Sequence, residues 1–374
     1  MKIAQVCPFF YPVLGGMEKH VLEISKELVK NGFEVTVLCS NIDRSGRILK
    51  NEQVFDSILI KRFKVYFKIS EFASFFPGVF REVRKQKYDV VHAHAYRHPH
   101  NFVVYFSNKP MVLTPHYPIY PLSGKLRNIY TKIFDKMFGA SLMKRYKKII
   151  ALTDGEKEWL TSSFFIPGSK IEVVPNGVSE KYLDRHDPEI FLKKFKIDRN
   201  KFIILSVGRL SKSKGFQDLI EVLSFLPENI RKDIVLVIIG PDGGYYKKLV
   251  DLVVEKKLKN VIFTGEVSEE VKLSAYEACD LFILPSYWEG FGITLLEAMA
   301  KNKIVMARNV GGQKYVVPEK EFLFKDLDEL KKKLELVYEG KLKKKLDYRK
   351  IVKERYLWSK VAKKIMDVYE EVCR

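Results

Sequence analysis

Two kinds of hydrophobic pattern alternate along the chain. Short segments are almost continuously apolar and rich in Val, Ile, Leu and Phe, which is typical of strands buried on both faces of a parallel sheet. Between them lie longer segments whose apolar residues recur every three or four positions, as in amphipathic helices. The pattern predicts a doubly wound α/β fold with one parallel sheet in each half of the chain. The predicted strands are KIAQVCPF, FEVTVLCS, ILIKRFKV, DVVHAHA, MVLTPH, KIIALT and IEVVP in the first half, and FIILSVGRL, IVLVIIGP, NVIFTGEV, LFILPS and KIVMARNVG in the second.

The boundary between the two sheets is predicted at the turn PNG, 175–177, because these residue types end strands and form turns. The first predicted domain is 1–175 and the second is 176–355. Beyond Gly311 we expect charged helices and no further strand. The last segment, 356–374, has apolar residues at helical spacing, so we expect a helix that crosses back onto the first domain.

The composition is that of a folded protein. Hydrophobic residues make up 47% of the 374 positions, which excludes a disordered or collagen-like chain. No apolar run reaches the ~18 residues that a membrane span needs, and the N-terminus has the pattern of a buried strand, so we expect a cytoplasmic protein. The four cysteines are scattered, which argues against disulfides and favours core positions. Abundant Lys and Glu suggest a thermophilic source.

The formal net charge of +20 favours an anionic partner. Nucleic acids, phospholipids and phosphorylated substrates are the three classes of such partners. Two segments, 61–87 and 125–148, combine basic with aromatic or apolar residues. The second either docks on its sheet with a solvated basic face or lies on anionic lipid, and the first favours the lipid interpretation. No nucleic-acid-binding motif is present, so we expect no nucleic acid partner. The apolar residues at helical spacing in the second segment are Ile129, Ile133, Phe134, Met137, Phe138 and Leu142.

Candidate binding residues follow the strands, at the edge where ligands of open α/β sheets collect. Gly15 and Gly16 follow the first strand but do not form the GxGxxG fingerprint, so no nicotinamide cofactor is indicated. Arg209 and Lys214 follow the first strand of the second half, where two cations can converge on a diphosphate. A tight Gly-Gly turn and a solvated basic loop are the structural alternatives for these two segments.

A second loop of the same half, in EGFGITLLEAMA, contains Glu289 and, eight residues later, Glu297. The intervening Gly290 and Gly292 allow the loop to curl so that backbone N–H groups face a ligand. Loop carboxylates are good acceptors for sugar hydroxyls. Because the neighbours of Glu297 are apolar, we expect this carboxylate to be buried with a partner.

In this order and spacing, the segments GGMEKH, PNGV, GRLSKSKG and EGFGITLLEAMA resemble the retaining glycosyltransferases of family 4, or group 1, over essentially the whole chain. The resemblance implies a GT-B fold, in which two Rossmann-like domains face a central cleft. It implies a hexosyltransferase whose donor is a nucleotide sugar, a UDP-sugar in preference to GDP-mannose. The implied acceptor is a hydroxyl of a glycan or a lipid-linked molecule at the cytoplasmic membrane face, and no metal or other cofactor is expected.

The resemblance also implies roles for individual residues. Arg209 and Lys214 would bind the diphosphate, Glu289 the hydroxyls of the transferred sugar and Glu297 the ribose. His116, at the end of a first-domain strand, would reach the donor sugar, and it forms the expected catalytic set with Arg209, Lys214 and Glu289. The chain departs from the family pattern in NVGGQKYVV, which lacks the acidic residue that often follows the Gly-Gly. Further donor contacts are expected at Gly15, Gly16, Val267, Gly290, Phe291, Gly292, Ile293 and Thr294.

Four of the seven histidines lie within nine positions, in DVVHAHAYRHPHN. Three interpretations are open for His92, His94, His98 and His100. They bind a metal, they pack as ordinary loop residues, or they line a rim that contacts the acceptor. No carboxylate or cysteine nearby completes a metal site. We therefore expect no metal and favour an acceptor contact led by His94 and Arg97.

The Asp-x-Asp triplet 326–328 opens a charged helix, so we interpret its acids as a helix start rather than a metal site. Two other functions stay open. One is a sugar-nucleotide epimerase of the same two-domain plan, and the other is a basic, non-enzymatic nucleic-acid-binding protein.

Overall fold

A computed structural model describes residues 1–13, 15–70, 73–85, 87–119 and 124–374, including the side chains of all of these except 68–70, 73 and 125–127. Its contacts divide the chain into two units. The first unit comprises Met1–Gly177 and Trp358–Arg374, and the second comprises Val178–Leu357. Each boundary lies two residues beyond the position expected from the sequence.

The first unit is built on an eight-stranded sheet in the order β10-β9-β8-β7-β1-β2-β4-β3. All its neighbouring strands are parallel except β3 and β4, which are antiparallel. A separate antiparallel pair joins β5 and β6. The elements are β1 Lys2–Val6, α1 Gly16–Lys30, β2 Glu34–Ser40, β3 Glu52–Phe55, β4 Ile58–Phe63, β5 Phe67–Ser70, β6 Ala73–Phe75, α2 Gly78–Arg84, β7 Val90–His94, β8 Met111–Thr114, α3 Lys125–Phe134, α4 Ala140–Arg145, β9 Lys148–Ala151, α5 Asp154–Phe164 and β10 Ile171–Val173.

The second unit is built on a six-stranded, fully parallel sheet in the order β13-β12-β11-β14-β15-β16. One helix, α15, follows this unit in the chain and belongs to the first unit. The elements are α6 Glu189–Phe195, β11 Phe202–Val207, α7 Phe216–Phe225, α8 Glu228–Asp233, β12 Ile234–Ile239, α9 Tyr246–Glu255, β13 Val261–Gly265, α10 Glu269–Ala278, β14 Leu281–Leu284, α11 Ile293–Ala300, β15 Ile304–Arg308, α12 Gln313–Val316, β16 Leu323–Phe324, α13 Leu327–Tyr338, α14 Tyr348–Arg355 and α15 Trp358–Cys373.

All twelve strands predicted from the apolar segments are present, and two further strands join the sheets. The expectation that no strand follows Gly311 is wrong, because β16 pairs with the end of β15. This strand is only two residues long, which is too short to produce a recognisable pattern. The edge strand β3 was also missed, because its residues are partly or fully exposed and alternate only weakly.

The central strands of the first sheet are covered on both faces by apolar clusters. The last helix, α15, contributes its apolar side to the cluster that also contains residues of α1 and β2. Its buried residues include Val361, Ile365, Val368 and Val372, which recur at helical spacing. Cys373 is exposed at the end of this helix, so the expected core position is wrong for this cysteine, whereas the other three are buried.

The basic segment 125–148 forms α3, a π-helical turn from Asp135 to Gly139, and α4. Phe134 and Leu142 are buried, but the other apolar residues of the segment are not: Ile129 and Ile133 are each 53% exposed, Met137 is 64% exposed and Phe138 is 37% exposed. The apolar residues are therefore divided between the core and the surface. In the other basic segment, 61–87, residues 71, 72 and 86 lie outside the described part of the chain. Among the described residues, no helix combines the length and the apolar character required to cross a membrane.

Candidate active site

The second unit brings Lys214 and Glu289 into contact from loops that follow two adjacent strands, β11 and β14. Lys214 Nζ lies 2.6 Å from Glu289 Oε1, and the hydroxyl of Ser286 donates to the same oxygen at 2.7 Å. The side chains of Lys214 and Glu289 are 28% and 18% exposed, so both remain accessible to a ligand. The structure therefore brings these two candidate donor-binding residues together as an ion pair.

Glycines allow the loops around this pair to approach closely. Gly215 follows Lys214 with φ +72°, and a Cβ there would lie 2.3 Å from the carbonyl oxygen of Pro285. The N–H of Gly312 donates to the carbonyl of Glu289 at 2.8 Å, and a Cβ at Gly312 would lie 1.9 Å from the carbonyl oxygen of Gly290. Only glycine fits at these two positions, which fix the backbone on both sides of the ion pair.

A buried polar network supports the Glu289 loop, and sequence reasoning missed it. Arg308, at the end of β15, pairs with Asp218 of α7, and both side chains are 9% exposed. Tyr287 donates to Asp218 at 2.8 Å. Gln313 is fully buried and donates to the carbonyls of Ser286, at 3.0 Å, and Arg308, at 2.8 Å. Gln313 lies directly after the Gly-Gly of NVGGQKYVV, the segment that departs from the family pattern. This position was the one sequence feature that could have drawn attention to Gln313.

The other predicted donor residues of the second unit differ in how far they are exposed. Arg209 is exposed after β11, and a Cβ at Gly243 would lie 2.7 Å from its Cγ. Glu297 is 2% exposed within α11 and accepts a hydrogen bond from Tyr276 at 2.8 Å, so the predicted burial with a partner is confirmed. Val267 is partly exposed beyond β13. The loop and first turn of α11 contain Gly290, Gly292, Ile293 and Thr294, which are partly exposed, and Phe291, which is buried.

Asp326 is the N-cap of α13. Its carboxylate accepts a hydrogen bond from the N–H of Glu329 at 2.9 Å, which satisfies an otherwise unpaired amide of the first turn. The interpretation of the Asp-x-Asp triplet as a helix start is therefore confirmed.

The first unit places four histidines together, at the ends of β7 and β8 and on α1. His92 has both ring nitrogens occupied, one by the hydroxyl of Tyr369 at 2.7 Å and the other by Thr114 at 2.8 Å. Because Tyr369 belongs to α15, His92 ties the last helix to the sheet. This histidine of the sequence cluster therefore has a structural contact.

His94, His116 and His20 form a second group, in which His20 was not predicted. Nδ1 of His94 lies 3.2 Å from Nε2 of His116, and Nε2 of His94 lies 2.7 Å from Oε1 of Gln5. The His20 and His116 rings are 4.9 Å apart and nearly perpendicular. Burial lowers the pKa of His20 to about 4 and places the pKa values of His94 and His116 well below 6.5, so the three rings are uncharged near neutral pH.

The backbone that carries these histidines is unusual. Ala95, Arg97, His116 and Tyr117 all have positive φ angles, between +45° and +70°, although none is glycine. Left-handed backbone at non-glycine residues concentrates at functional sites, where surrounding contacts maintain it. Here the buried carboxylate of Glu156 accepts hydrogen bonds from the N–H groups of Tyr117 and Leu152, and burial raises its pKa to about 8.

The other residues predicted for the acceptor rim have intramolecular partners. His100 contacts the carbonyl of His94 through Nε2 at 2.6 Å. Arg97 forms a two-point ion pair with Asp135, with nitrogen to oxygen distances of 2.8 and 2.6 Å, and it also donates to the carbonyl of Pro118. Arg97 therefore connects the histidine loop to the π-helical turn of the basic segment rather than joining the histidine group.

Gly15 and Gly16 lie at the start of α1, as the sequence predicts. A Cβ at Gly15 would lie 2.6 Å from the Glu18 carboxylate and 2.7 Å from the Arg44 guanidinium, which themselves form an ion pair of 2.8 Å. At Gly16 a Cβ would meet nothing within 4 Å. A side chain at Gly15 would therefore displace the Glu18–Arg44 ion pair, whereas Gly16 leaves open space beside the helix start.

Two family models match the chain, one in each half. Residues 14–182 match Glycosyltransferase Family 4, and residues 187–355 match Glycosyl transferases group 1. Together the two matches span most of both units. The segments quoted above for the resemblance fall within the matched residues.

Proteins similar over nearly the full chain are glycosyltransferases. The phosphatidylinositol N-acetylglucosaminyltransferase GPI3 subunit of Saccharomyces cerevisiae is 25% identical, over 99% of this chain and 83% of that protein. An Escherichia coli UDP-Gal:alpha-D-GlcNAc-diphosphoundecaprenol alpha-1,3-galactosyltransferase is 26% identical, over 85% of this chain and 81% of its own length. The crystal structure of Anabaena HepE with UDP-glucose has a TM-score of 0.76 at 19% identity, covering 99% of this chain and 100% of that one. This last likeness establishes the GT-B fold.

Proposed function

Because the chain belongs to the group 1, family 4 glycosyltransferases and is a hexosyltransferase, we propose that it transfers a hexose from a UDP-sugar to a hydroxyl of a lipid-linked acceptor, with retention at the anomeric carbon. GDP-mannose is the second donor to test, and a glycan without lipid is the second acceptor. The observation that carries the proposal is the accessible Lys214–Glu289 ion pair on loops that glycines hold together.

Lys214 and Arg209 supply fixed positive charge for the diphosphate. In transfer from a nucleotide sugar, negative charge develops on the leaving phosphate, so a cation already in place lowers the barrier without a metal. The Glu289 carboxylate accepts hydrogen bonds, which suits the hydroxyls of the transferred sugar. Its ion pair with Lys214 holds the carboxylate in position while the donor binds.

The donor preference rests on the relatives. The name of the E. coli relative specifies UDP-Gal, and HepE was crystallised with UDP-glucose. Glu297 is the residue that we assign to the ribose, because a carboxylate accepts from paired hydroxyls. Its oxygens also have neighbours within the unit, with Tyr276 at 2.8 Å and Lys272 Nζ at 4.0 Å, so ribose would join an existing network.

The acceptor preference rests on the relatives and on the surface of the first unit. Both named relatives act on lipids, phosphatidylinositol in one name and diphosphoundecaprenol in the other. Ile129, Ile133 and Met137 recur every four positions on an exposed helical face, next to the exposed bases Lys132 and Lys136. An apolar stripe flanked by bases is the pattern of a helix that lies on anionic lipid.

His94 and His116 are the residues that we assign to the acceptor and the donor sugar. Uncharged imidazoles can exchange hydrogen bonds with hydroxyls, and burial keeps these two rings uncharged at neutral pH. Arg97 positions this loop through Asp135 and Pro118. In this scheme the leaving phosphate takes the proton of the attacking hydroxyl.

The proposal is tested by incubating the protein with a panel of UDP-hexoses and GDP-mannose, with and without lipid-linked acceptors. We expect the nucleotide diphosphate to be released only when the acceptor is present. We also expect the new glycosidic linkage to have the same anomeric configuration as the donor sugar. An epimerase would convert the nucleotide sugar into its epimer without an acceptor, and no glycosylated acceptor would accumulate. Inversion at the anomeric carbon would contradict the proposed retention but not the proposed transfer.

Membrane association has a separate test. In liposome flotation we expect binding to anionic vesicles and little binding to neutral ones. Met137→Asp removes apolar area and adds repulsion, so bound protein should fall about tenfold. The matched control is Ile48→Asp, since Ile48 is 75% exposed in the same unit but outside the basic segment. Equal losses in both variants, or equal binding to both vesicle types, would contradict the proposal.

A further inference from the structure

The histidine group of the first unit has the dimensions of a metal site. One ring nitrogen from each of His20, His94 and His116 lies within 4.8 Å of the other two. The closest pair, Nδ1 of His94 and Nε2 of His116, is 3.2 Å apart. In tetrahedral zinc sites with Zn–N bonds of about 2.0–2.1 Å, ligand nitrogens lie about 3.3 Å from each other. Two of the three histidines are therefore already at ligand spacing.

The hydrogen-bond partners fix which nitrogens carry protons. The amide oxygens of Asn176 and Gln5 can only accept, so Nδ1 of His20, at 2.5 Å, and Nε2 of His94, at 2.7 Å, must be protonated. The remaining nitrogens, Nε2 of His20 and Nδ1 of His94, then carry lone pairs. Of these two, Nδ1 of His94 is the atom that faces His116.

His20 provides an observation independent of the spacing. Its side chain is fully buried, and within the described residues its Nε2 has no hydrogen-bond partner. A buried polar nitrogen without a partner destabilises the folded protein unless a ligand satisfies it. The unsatisfied atom is the one whose lone pair a metal would need.

The arrangement also matches the outer contacts of known metal sites. A metal-binding histidine usually donates its second ring N–H to an oxygen, which fixes the ring and makes the ligating nitrogen more basic. Asn176 provides this contact for His20, and Gln5 provides it for His94. His116 is the partly exposed member of the group, so an ion can approach from its side.

We propose that His20, His94 and His116 bind a divalent transition-metal ion that prefers imidazole ligands, in the first place Zn²⁺. Binding requires that the proton of His116 moves from Nε2, where it now bridges to His94, to Nδ1, a change of tautomer without net proton release. The transfer reaction is still expected to need no metal. The ion would occupy ring nitrogens of His94 and His116, to which the proposed function assigns the acceptor and the donor sugar, so a bound metal should compete with both.

The test uses Co²⁺ as a spectroscopic probe for the zinc site of the full-length protein. We expect one equivalent of Co²⁺ to produce the intense visible absorption of a tetrahedral nitrogen site and Zn²⁺ to displace it. The bands should disappear in His94→Ala and His20→Ala. Asn176→Ala leaves the three ligands in place but frees the His20 ring, so the affinity should fall about 10- to 100-fold.

The matched control is His186→Ala. This histidine lies in the second unit, so its substitution should leave the Co²⁺ spectrum unchanged. Circular dichroism and melting temperature establish that each variant is folded. A folded wild-type protein without tetrahedral bands would overturn the proposal. So would bands that persist at full intensity in His20→Ala, or a Co²⁺ affinity of Asn176→Ala equal to that of the wild type.

Discussion

The Lys214–Glu289 pair of the second unit and the histidine group of the first unit are built from opposite kinds of chemistry. The pair consists of formal charges that neutralise each other, on side chains 28% and 18% exposed. The histidine group consists of uncharged rings, of which His20 and His94 are fully buried. Both lie near the carboxyl ends of parallel strands. The same edge of the sheet therefore holds charged side chains in one unit and neutral rings in the other.

The difference follows from the cost of burying charge. A formal charge is tolerated where solvent or a partner compensates it, which allows the second unit to offer a cation to a diphosphate. The first unit buries its rings next to α15, and in the described part of the chain the hydrogen-bond partners of His20 and His94 are the uncharged side chains of Asn176, His116 and Gln5. The histidines therefore remain neutral and suit hydroxyls or a metal ion rather than phosphate.

The largest expected effect is on the charged pair. Glu289→Ala removes the acceptor for sugar hydroxyls and leaves Lys214 without its partner, and Lys214→Ala removes the charge that stabilises the leaving phosphate. We expect kcat/KM to fall about 10³-fold in each variant, or about 4 kcal/mol. Steady-state transfer with the best donor of the panel measures this. Turnover near that of the wild type in either variant would remove the pair from the site.

A smaller effect is expected in the histidine group. His94→Ala removes a neutral hydrogen-bonding ring, so we expect transfer to fall about 10²-fold, as expected when the acceptor hydroxyl is no longer held in position. A chelator should not lower wild-type transfer, because the charged pair already stabilises the phosphate. If the chelator abolished transfer and added metal restored it, the division of roles between the two regions would be wrong.

The loop support provides a third comparison. Gln313→Ala breaks two hydrogen bonds that hold the Ser286 and Arg308 carbonyls, and we expect kcat/KM to fall about tenfold with little change in KM for the acceptor. Gln313→Glu, which lacks the two N–H donors, should be at least as impaired. A Gln313→Glu variant with wild-type activity would show that these hydrogen bonds do not position Glu289.

The smallest expected effect tests whether the first unit buries charge when a partner is present. Burial alone would raise the pKa of Glu82, but hydrogen bonds from Lys85, Lys87 and Tyr88 outweigh it and lower the pKa from 4.5 to about 2. A depressed carboxyl pKa stabilises the fold above pH 4.5, and this stabilisation is lost as the pH falls toward 2.

Thermal unfolding of Glu82→Gln should therefore show a loss of about 1 kcal/mol at pH 7, reduced from the full shift because the lysines are partly exposed. The difference from the wild type should shrink between pH 4.5 and pH 2. A loss that is the same at both ends of this range would mean that packing, not charge pairing, accounts for the effect.

The elements and the donor loops could be predicted because their signals are local. Apolar runs identify central strands such as β11 and β12, and glycines beside charged residues identify the loops of Lys214 and Glu289. The strand β16 has too few residues for a pattern. Tertiary partners leave no local signal either, which is why the Asp218–Arg308 pair and the role of Gln313 were not predicted.

His20 illustrates the same limit. It lies inside α1, four residues after Gly16, where a histidine on the apolar side resembles any core position. Only the fold brings it to His94 and His116, which belong to strands far along the chain. Similarly, nothing in the sequence around Arg97 indicates that its partner is Asp135 rather than a ligand.

The central claim is that the second unit binds the donor diphosphate at Lys214, and calorimetric titration of UDP tests it most directly. Lys212→Ala is the matched control, because Lys212 lies in the same loop and is exposed. We predict that UDP binds Lys214→Ala about 10²-fold more weakly than the wild type, as expected for the loss of a charged contact to phosphate, and binds Lys212→Ala within about threefold of it. Equal UDP affinity in Lys214→Ala and Lys212→Ala would contradict the account.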